Sequence, residues 1–263
     1  MLEVVIVLYY DWQEQVMSAS TPPPGDTRIL DLGFSIEPQP DETTCGPTSL
    51  HAVYRHFGDT IGLNQVIEEV ASLPTGGTLA VLLGSHALKR GYRATIYTYN
   101  LSLFDPTWFA PGVDLHEKLV AQSDAKADET LRSATEAYLE YLDRGGKISF
   151  EECRPRLLRR YLRRHVPVLA GLSATYLYGA ARELPEDNRP DDVRGQPVGH
   201  FVLVRGYLRG QRKILVADPW HPNPVRAEGI YWVDAHRFVS AVMLGIVTYD
   251  ANLLVVQPKE SSP

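Results

Sequence analysis

QPDETTCGPTSLHAVYRHFG, residues 39–58, sets a lone cysteine at the junction of two kinds of sequence. Ahead of Cys45, proline, aspartate and threonine favour a turn. Behind it, Leu50, Val53, Tyr54 and Phe57 recur at i, i+3, i+4 and i+7, the spacing of one helix face, and Gly58 offers a C-terminal stop. The pattern therefore predicts a helix with Cys45 at its N-terminus. A thiol has a chemical use there: the thiolate is the nucleophile, and the partial positive charge of a helix N-terminus, together with a neighbouring imidazole, favours that state. A free cysteine is also a common packing residue, so position alone leaves both roles open.

Downstream, His200 stands near the start of GHFVLVRGYL, an apolar strand pattern in which packing alone would favour an apolar side chain. Asp218 ends the next such run, KILVADP, and the intervening RGQR contains the glycine that a hairpin turn uses. In an antiparallel hairpin these two strand ends lie side by side. A carboxylate there accepts from one imidazole nitrogen and leaves the other to face the thiol.

The rest of the chain supplies the frame. Residues 62–72 and 78–90 read as helices separated by LPTGG, and TIYTYNLSL at 95–103 reads as a strand. LHEKLVAQ, DETLRSATEAYLEYLD and RPRLLRRYLRRH form a helical insertion over about residues 103–164, broken at Gly145 and Gly146. VPVLAGLSA at 166–174 reads as a buried strand, WVDAHRFVSAVM at 232–243 as a helix and ANLLVVQ at 251–257 as a closing strand. The N-terminal MLEVVIVLYYDWQEQ reads as a short strand or ordered extension. SASTPPPGD follows as a proline-rich spacer, so residues 1–27 stand outside a single domain over 28–263. The polar segment ARELPEDNRPDDVRGQPVG, leading into His200, reads as a surface loop at the cleft rim, either a lid or specificity element or a passenger insertion.

Composition limits the function classes. The 263 residues are 44% hydrophobic and 22% charged, as in folded globular chains, and the formal charge of -6 argues against nucleic acid as the main partner. No apolar run approaches the roughly 20 residues that span a bilayer, and no basic n-region with a cleavage site precedes the domain. Two cysteines make no disulfide framework, so a reducing, cytoplasmic setting is the expectation.

Gln39 six positions before Cys45, CGPTSL opening a helix, GH at a strand start and ADPW at the end of its partner resemble the papain-like cysteine peptidases of the bacteriocin-leader, double-glycine-cleaving family and their free-standing relatives. The resemblance runs over about residues 36–256, with a longer separation between Cys45 and His200 than in leader-processing domains. It implies an α+β papain-like fold, with a helical side carrying Cys45 packed on an antiparallel sheet carrying His200 and Asp218. It further implies Cys45 as nucleophile, His200 as general base and then acid, Asp218 as orienter, and Gln39 as the side-chain donor of an oxyanion hole beside the Cys45 N–H. Such an enzyme cleaves a peptide or other amide bond of a peptide or protein substrate through a thioester, with no metal or organic cofactor. Two other functions fit the same residues: acyl transfer to an amine or thiol, as in transglutaminase-like and phytochelatin-synthase-like relatives, and peptide binding on a catalytically silent scaffold.

Several residues read as bystanders. Cys153 packs ahead of the arginine-rich helix, and His51, His56, His86, His116, His165 and His236 show no metal-ligand spacing. His221 reads as a loop residue beside the cleft. Arg156, Arg159, Arg160, Arg163 and Arg164 read as a solvated helix face or an anion site.

Overall fold

Gly199–Leu208 (β5) is the strand around which the fold is organised. In the computed structural model, which describes residues 29–72 and 77–259, it is apolar at almost every position because both faces of the sheet are covered. Phe201 and Leu203 point into one core, whereas Val202 and Val204 point into the other. The same alternation holds in Val168–Ser173 (β4) and Asn252–Pro258 (β8), where Leu169, Leu254 and Val256 face one side and Ala170, Leu253 and Val255 the other. Each fully buried aliphatic side chain adds roughly 1.5–3 kcal/mol relative to exposure. Two-sided burial explains why these strands read as continuous apolar runs instead of alternating ones.

The first face is covered by helices. Cys45–His56 (α1) begins where the periodicity places it and buries its first ten residues. Leu63–Glu69 (α2) and Ala80–Lys89 (α3) follow, and Tyr92–Thr98 (β2) enters the sheet. Gly46 lets α1 approach closely: a Cβ there would stand 2.5 Å from Thr78 and 3.3 Å from the ring of Phe201.

The insertion is not purely helical. After a 3₁₀ turn at Pro106–Phe109 it forms Leu115–Ala125 (α4) and Glu129–Asp143 (α5). Then Lys147–Ser149 (β3) joins the sheet edge, pairing parallel with β2 through Thr95 and Lys147. Pro155–Leu162 (α6) packs on the second face through Leu157, Leu158, Tyr161 and Leu162. The expectation of a helical layer over 103–164 is corrected by β3, whose three residues are too few to show a strand period.

Short Ala174–Tyr178 (α7) leaves β4 and ends at Gly179, which adopts φ +67°. Beyond β5, Lys213–Ala217 (β6) and Ile230–Asp234 (β7) complete the sheet, and Ala235–Leu244 (α8) closes the second face. The helix expected to start at Trp232 thus begins at Ala235. Trp232 and Val233 belong to β7, and Asp234 caps α8 by accepting from the His236 and Arg237 N–H groups. The strand expected at 95–103 starts earlier, at Tyr92, and stops at Thr98.

The sheet order is β3-β2-β8-β4-β5-β6-β7, antiparallel except at β2/β3. Ile29–Asp31 (β1), not foreseen as a strand, pairs with the far end of β5 beyond the reach of β4. There Gly206 is required by space, since a Cβ would stand 2.3 Å from the Leu30 carbonyl oxygen. The N-terminal extension and proline-rich spacer expected at residues 1–27 lie outside the described residues. Among the described residues no helix is long and apolar enough to cross a membrane.

Candidate active site

Cys45 is the first residue of α1. The preceding Thr44 makes no side-chain cap, so the N–H groups of that first turn are not taken up by its hydroxyl. Thr44 is committed instead to the loop: its Oγ1 bonds the carbonyl oxygen of Asp41 at 3.2 Å and accepts from the Asp41 N–H at 3.3 Å. Asp41 in turn accepts from the Thr43 N–H and hydroxyl, both at 2.8 Å. This short turn fixes the approach to the cysteine.

Gln39 sits in the same loop. Its backbone N–H donates to the Pro219 carbonyl at 2.8 Å, which ties the loop to the segment carrying Asp218. Its side-chain Nε2 donates to the Asp41 carbonyl at 2.8 Å, and its Oε1 is buried without a protein partner among the described residues. An amide nitrogen carries two hydrogens, so one donor remains beyond the bond to Asp41.

His200 lies one residue into β5, opposite Leu172, and Asp218 follows the last residue of β6. The strand ends meet: His200 Nε2 lies 2.8 Å from Asp218 Oδ1, with side-chain exposures of 3% and 0%. A carboxylate only accepts, so Nε2 carries the hydrogen in this bond. The Cys45 side chain lies near enough to act on the imidazole electrostatically. Burial by itself lowers the imidazole pKa, but the Asp218 carboxylate and Cys45 outweigh it and raise it. For Asp218, burial pushes upward while the His200 charge and the donors around it prevail and hold the carboxyl below its ordinary range. Both directions favour a carboxylate–imidazolium pair.

Asp218 is held on every side. Oδ1 also accepts from the Trp220 N–H at 3.0 Å, and Oδ2 accepts from the hydroxyls of Tyr178 and Tyr231, each at 2.7 Å. The indole of Trp220 stands edge-on to the imidazole with centroids 5.6 Å apart, and Tyr178 packs at 6.1 Å. Sequence reading did not single out the two tyrosines. Only the register of Val216 against Tyr231 and the path of α7 place their hydroxyls on the carboxylate. Asp250 was also missed: buried, it lies so close to Gly199 that a Cβ there would be 2.3 Å from its Oδ2. Burial pushes its carboxyl up to about 8.

The remaining polar residues have other tasks. Burial raises the Cys153 thiol to about 11. His51 bonds the Ile61 carbonyl, His86 bridges Tyr54 and Glu69, and His56 bonds the His165 carbonyl. His116 lies near Asp143 and His236 near Arg212, while His221 is exposed. A groove of about 790 Å³ lined by Arg156, Arg159, Arg160 and Arg163 runs along α6, and none of Cys45, His200, Asp218 and Gln39 lines it. In the polar loop, Asn188 donates to Glu42, two residues before Thr44, which sets the loop against the turn leading to Cys45.

The model of the Peptidase_C39 like family matches residues 31–241, a span that holds all four of these residues. The chain belongs to this family. Its α+β papain-like architecture, a cysteine-bearing helix against an antiparallel sheet, accords with that membership. Solved structures similar to this C39-like chain include the peptidase domain of Streptococcus ComA, a bifunctional ABC transporter of a quorum-sensing pathway. It shows 14% identity and a TM-score of 0.42, with 86% of this chain and 99% of that one covered. A double glycine motif protease from an AMS/PCAT transporter, in complex with its leader peptide, shows 14% identity, a TM-score of 0.42 and coverage of 87% and 94%. Xylellain, a cysteine protease from Xylella fastidiosa, shows 17% identity, a TM-score of 0.42 and coverage of 93% and 89%. No curated protein matches the chain.

Proposed function

We propose that this C39-like cysteine peptidase hydrolyses a peptide or amide bond through a thioester on Cys45. The observation that carries the reading is the buried His200–Asp218 pair, whose imidazole is acted on by the Cys45 side chain at a helix N-terminus. Asp218, fixed by its four donors, holds the Nε2–H side of the ring and stabilises the imidazolium. The thiol proton resides on the His200 imidazolium, and the thiolate sulfur of Cys45 attacks the acyl carbon to form the S–C bond. The oxyanion that develops is met by the Cys45 backbone N–H and by the amide of Gln39, one such donor being worth about 3–4 kcal/mol. His200 then gives its proton to the leaving nitrogen as the C–N bond breaks. Water, deprotonated by His200, attacks the thioester; the S–C bond breaks, and the acid and the thiol are restored.

Mass spectrometry of wild type and Cys45→Ala with a thiol-directed acyl probe and a mixed peptide library tests this reading. The expected result is acyl adduct at Cys45 and new peptide termini, both absent in the variant. Peptide binding without adduct or cleavage in the wild type would establish the binding-module function instead, and transfer of the acyl group to an added amine would establish acyl transfer.

A further inference from the structure

Beside the imidazole lies a pocket that the chemistry above does not use. Tyr178 and Trp220, whose rings cross at 88° with centroids 5.6 Å apart, form its inner wall. Ala180, Ala181, Pro222 and Pro224 form its other walls, so the lining is mostly apolar. Its volume is about 160 Å³, similar to the roughly 150 Å³ apolar cavity that admits benzene. One leucine, isoleucine, methionine or phenylalanine side chain fits that space.

Its position relative to the reacting atoms decides which part of a substrate reaches it. An acyl carbon has two sides at the moment of cleavage. The acyl side lies against the sulfur and the oxyanion donors, and the leaving nitrogen must lie against the group that protonates it. Trp220 and Tyr178 both line the pocket and pack on His200, the proton donor, which associates the pocket with the leaving side of the bond. We propose that this pocket receives the side chain of the first residue of the leaving fragment and selects a medium or large apolar residue there. The inference rests on the peptidase reading.

The rim supplies the selection against other residues. Glu183 borders the pocket, and Glu42 acts on it electrostatically, so an acidic side chain entering there meets like charge. Glycine at that position leaves the Tyr178–Trp220 wall unfilled, and a lysine would strand its ammonium against the apolar lining unless it reached back to Glu183. Apolar discrimination of this kind is worth about 10–100-fold, the range that separates side chains differing by a few methylenes in a closed pocket.

A library of tryptic peptides with cleavage sites read by mass spectrometry provides the test, together with turnover of p-nitrophenyl acetate, whose leaving group carries no side chain. Wild type should cleave ahead of Leu, Ile, Met or Phe about 10-fold more often than ahead of Gly or Asp. Ala181→Trp, a substitution at an exposed rim position, should fill the pocket and reduce that ratio to within about twofold of unity, with ester turnover within about twofold of wild type. Ala180→Leu, a milder filling at a second exposed position, should give an intermediate ratio. A flat profile in wild type, or an enrichment that survives both substitutions, with ester turnover intact, overturns the pocket assignment alone. Absence of both peptide cleavage and ester turnover in folded wild type overturns the peptidase reading, and the pocket assignment with it.

Discussion

Tyr231→Phe isolates what a single hydroxyl does for the buried pair. It deletes one of two donors to Asp218 Oδ2 while keeping a ring that is 3% exposed in β7. No cavity larger than the lost oxygen forms, so packing changes little. A hydrogen bond to a charged group contributes about 1.5–3 kcal/mol. For a chain of this size each kcal/mol moves Tm by about 2–4 °C, so the midpoint near neutral pH should fall by roughly 3–12 °C. The same loss weakens the carboxylate relative to the carboxylic acid, so the Asp218 pKa should rise in the variant. The sign follows from linkage. The folded-state pKa of Asp218 is depressed below 3.8, so its contribution is present above that value and is lost as pH falls through the folded-state pKa. The variant should therefore lose acid-range stability at a higher pH than wild type, and the gap between them should narrow as pH falls through the variant's folded-state pKa. Thermal melts by circular dichroism across a pH series measure both quantities. A midpoint within about 1 °C of wild type near neutrality, or a gap that stays constant through the whole acid limb of both proteins, would refute the charge-assisted bond as the source of the effect.

Four further outcomes are expected. Asp250→Asn should stabilise the fold near neutrality, because the buried carboxyl is raised to about 8 and its ionisation is penalised; the advantage over wild type in chemical denaturation should grow as pH rises from 3.8 towards 8, and a pH-independent difference would contradict it. Iodoacetamide near neutral pH should label Cys45 faster than Cys153, which burial holds protonated, and should label Cys45 more slowly in His200→Ala; equal rates at both thiols, read by peptide mapping, would remove the activated nucleophile. Gln39→Ala should lower kcat by about 10²-fold with Cys45 alkylation largely intact, since its donor acts on charge present only in the transition state; wild-type turnover would exclude Gln39 from the oxyanion site. Replacing residues 186–194, including the Asn188 contact to Glu42, with a short Gly-Ser linker should change kcat/KM and the discrimination between basic and acidic peptides with Tm nearly unchanged; parallel cleavage of both peptide types by variant and parent would make the loop a passenger.

Local pattern alone determined a good part of this protein. The periodicity of Leu50, Val53, Tyr54 and Phe57 placed Cys45 at a helix start, and the run after His200 and the run ending at Asp218 read as neighbouring strands because each is a short apolar run and a turn signal lies between them. Those signals act over a few residues, so one sequence carries them in full. What lay beyond them is non-local. β1 and β3 are three residues each, too short for a period, and exist because β5 and β2 offer edges to pair with. The division of Trp232, Val233 and Ala235 between strand and helix was decided by the cap that Asp234 provides and by pairing with β6, against a helical pattern that continues through all of them. The same holds within the site. Cys45, His200 and Asp218 stand out as chemistry-bearing side chains at element ends, whereas Tyr178, Tyr231 and Asp250 become neighbours of the pair only through strand register, the turn of α7 and burial from both faces of the sheet. A hydroxyl 13 or 40 residues from its carboxylate along the chain leaves no mark in local sequence, because the contact is made by packing and not by spacing.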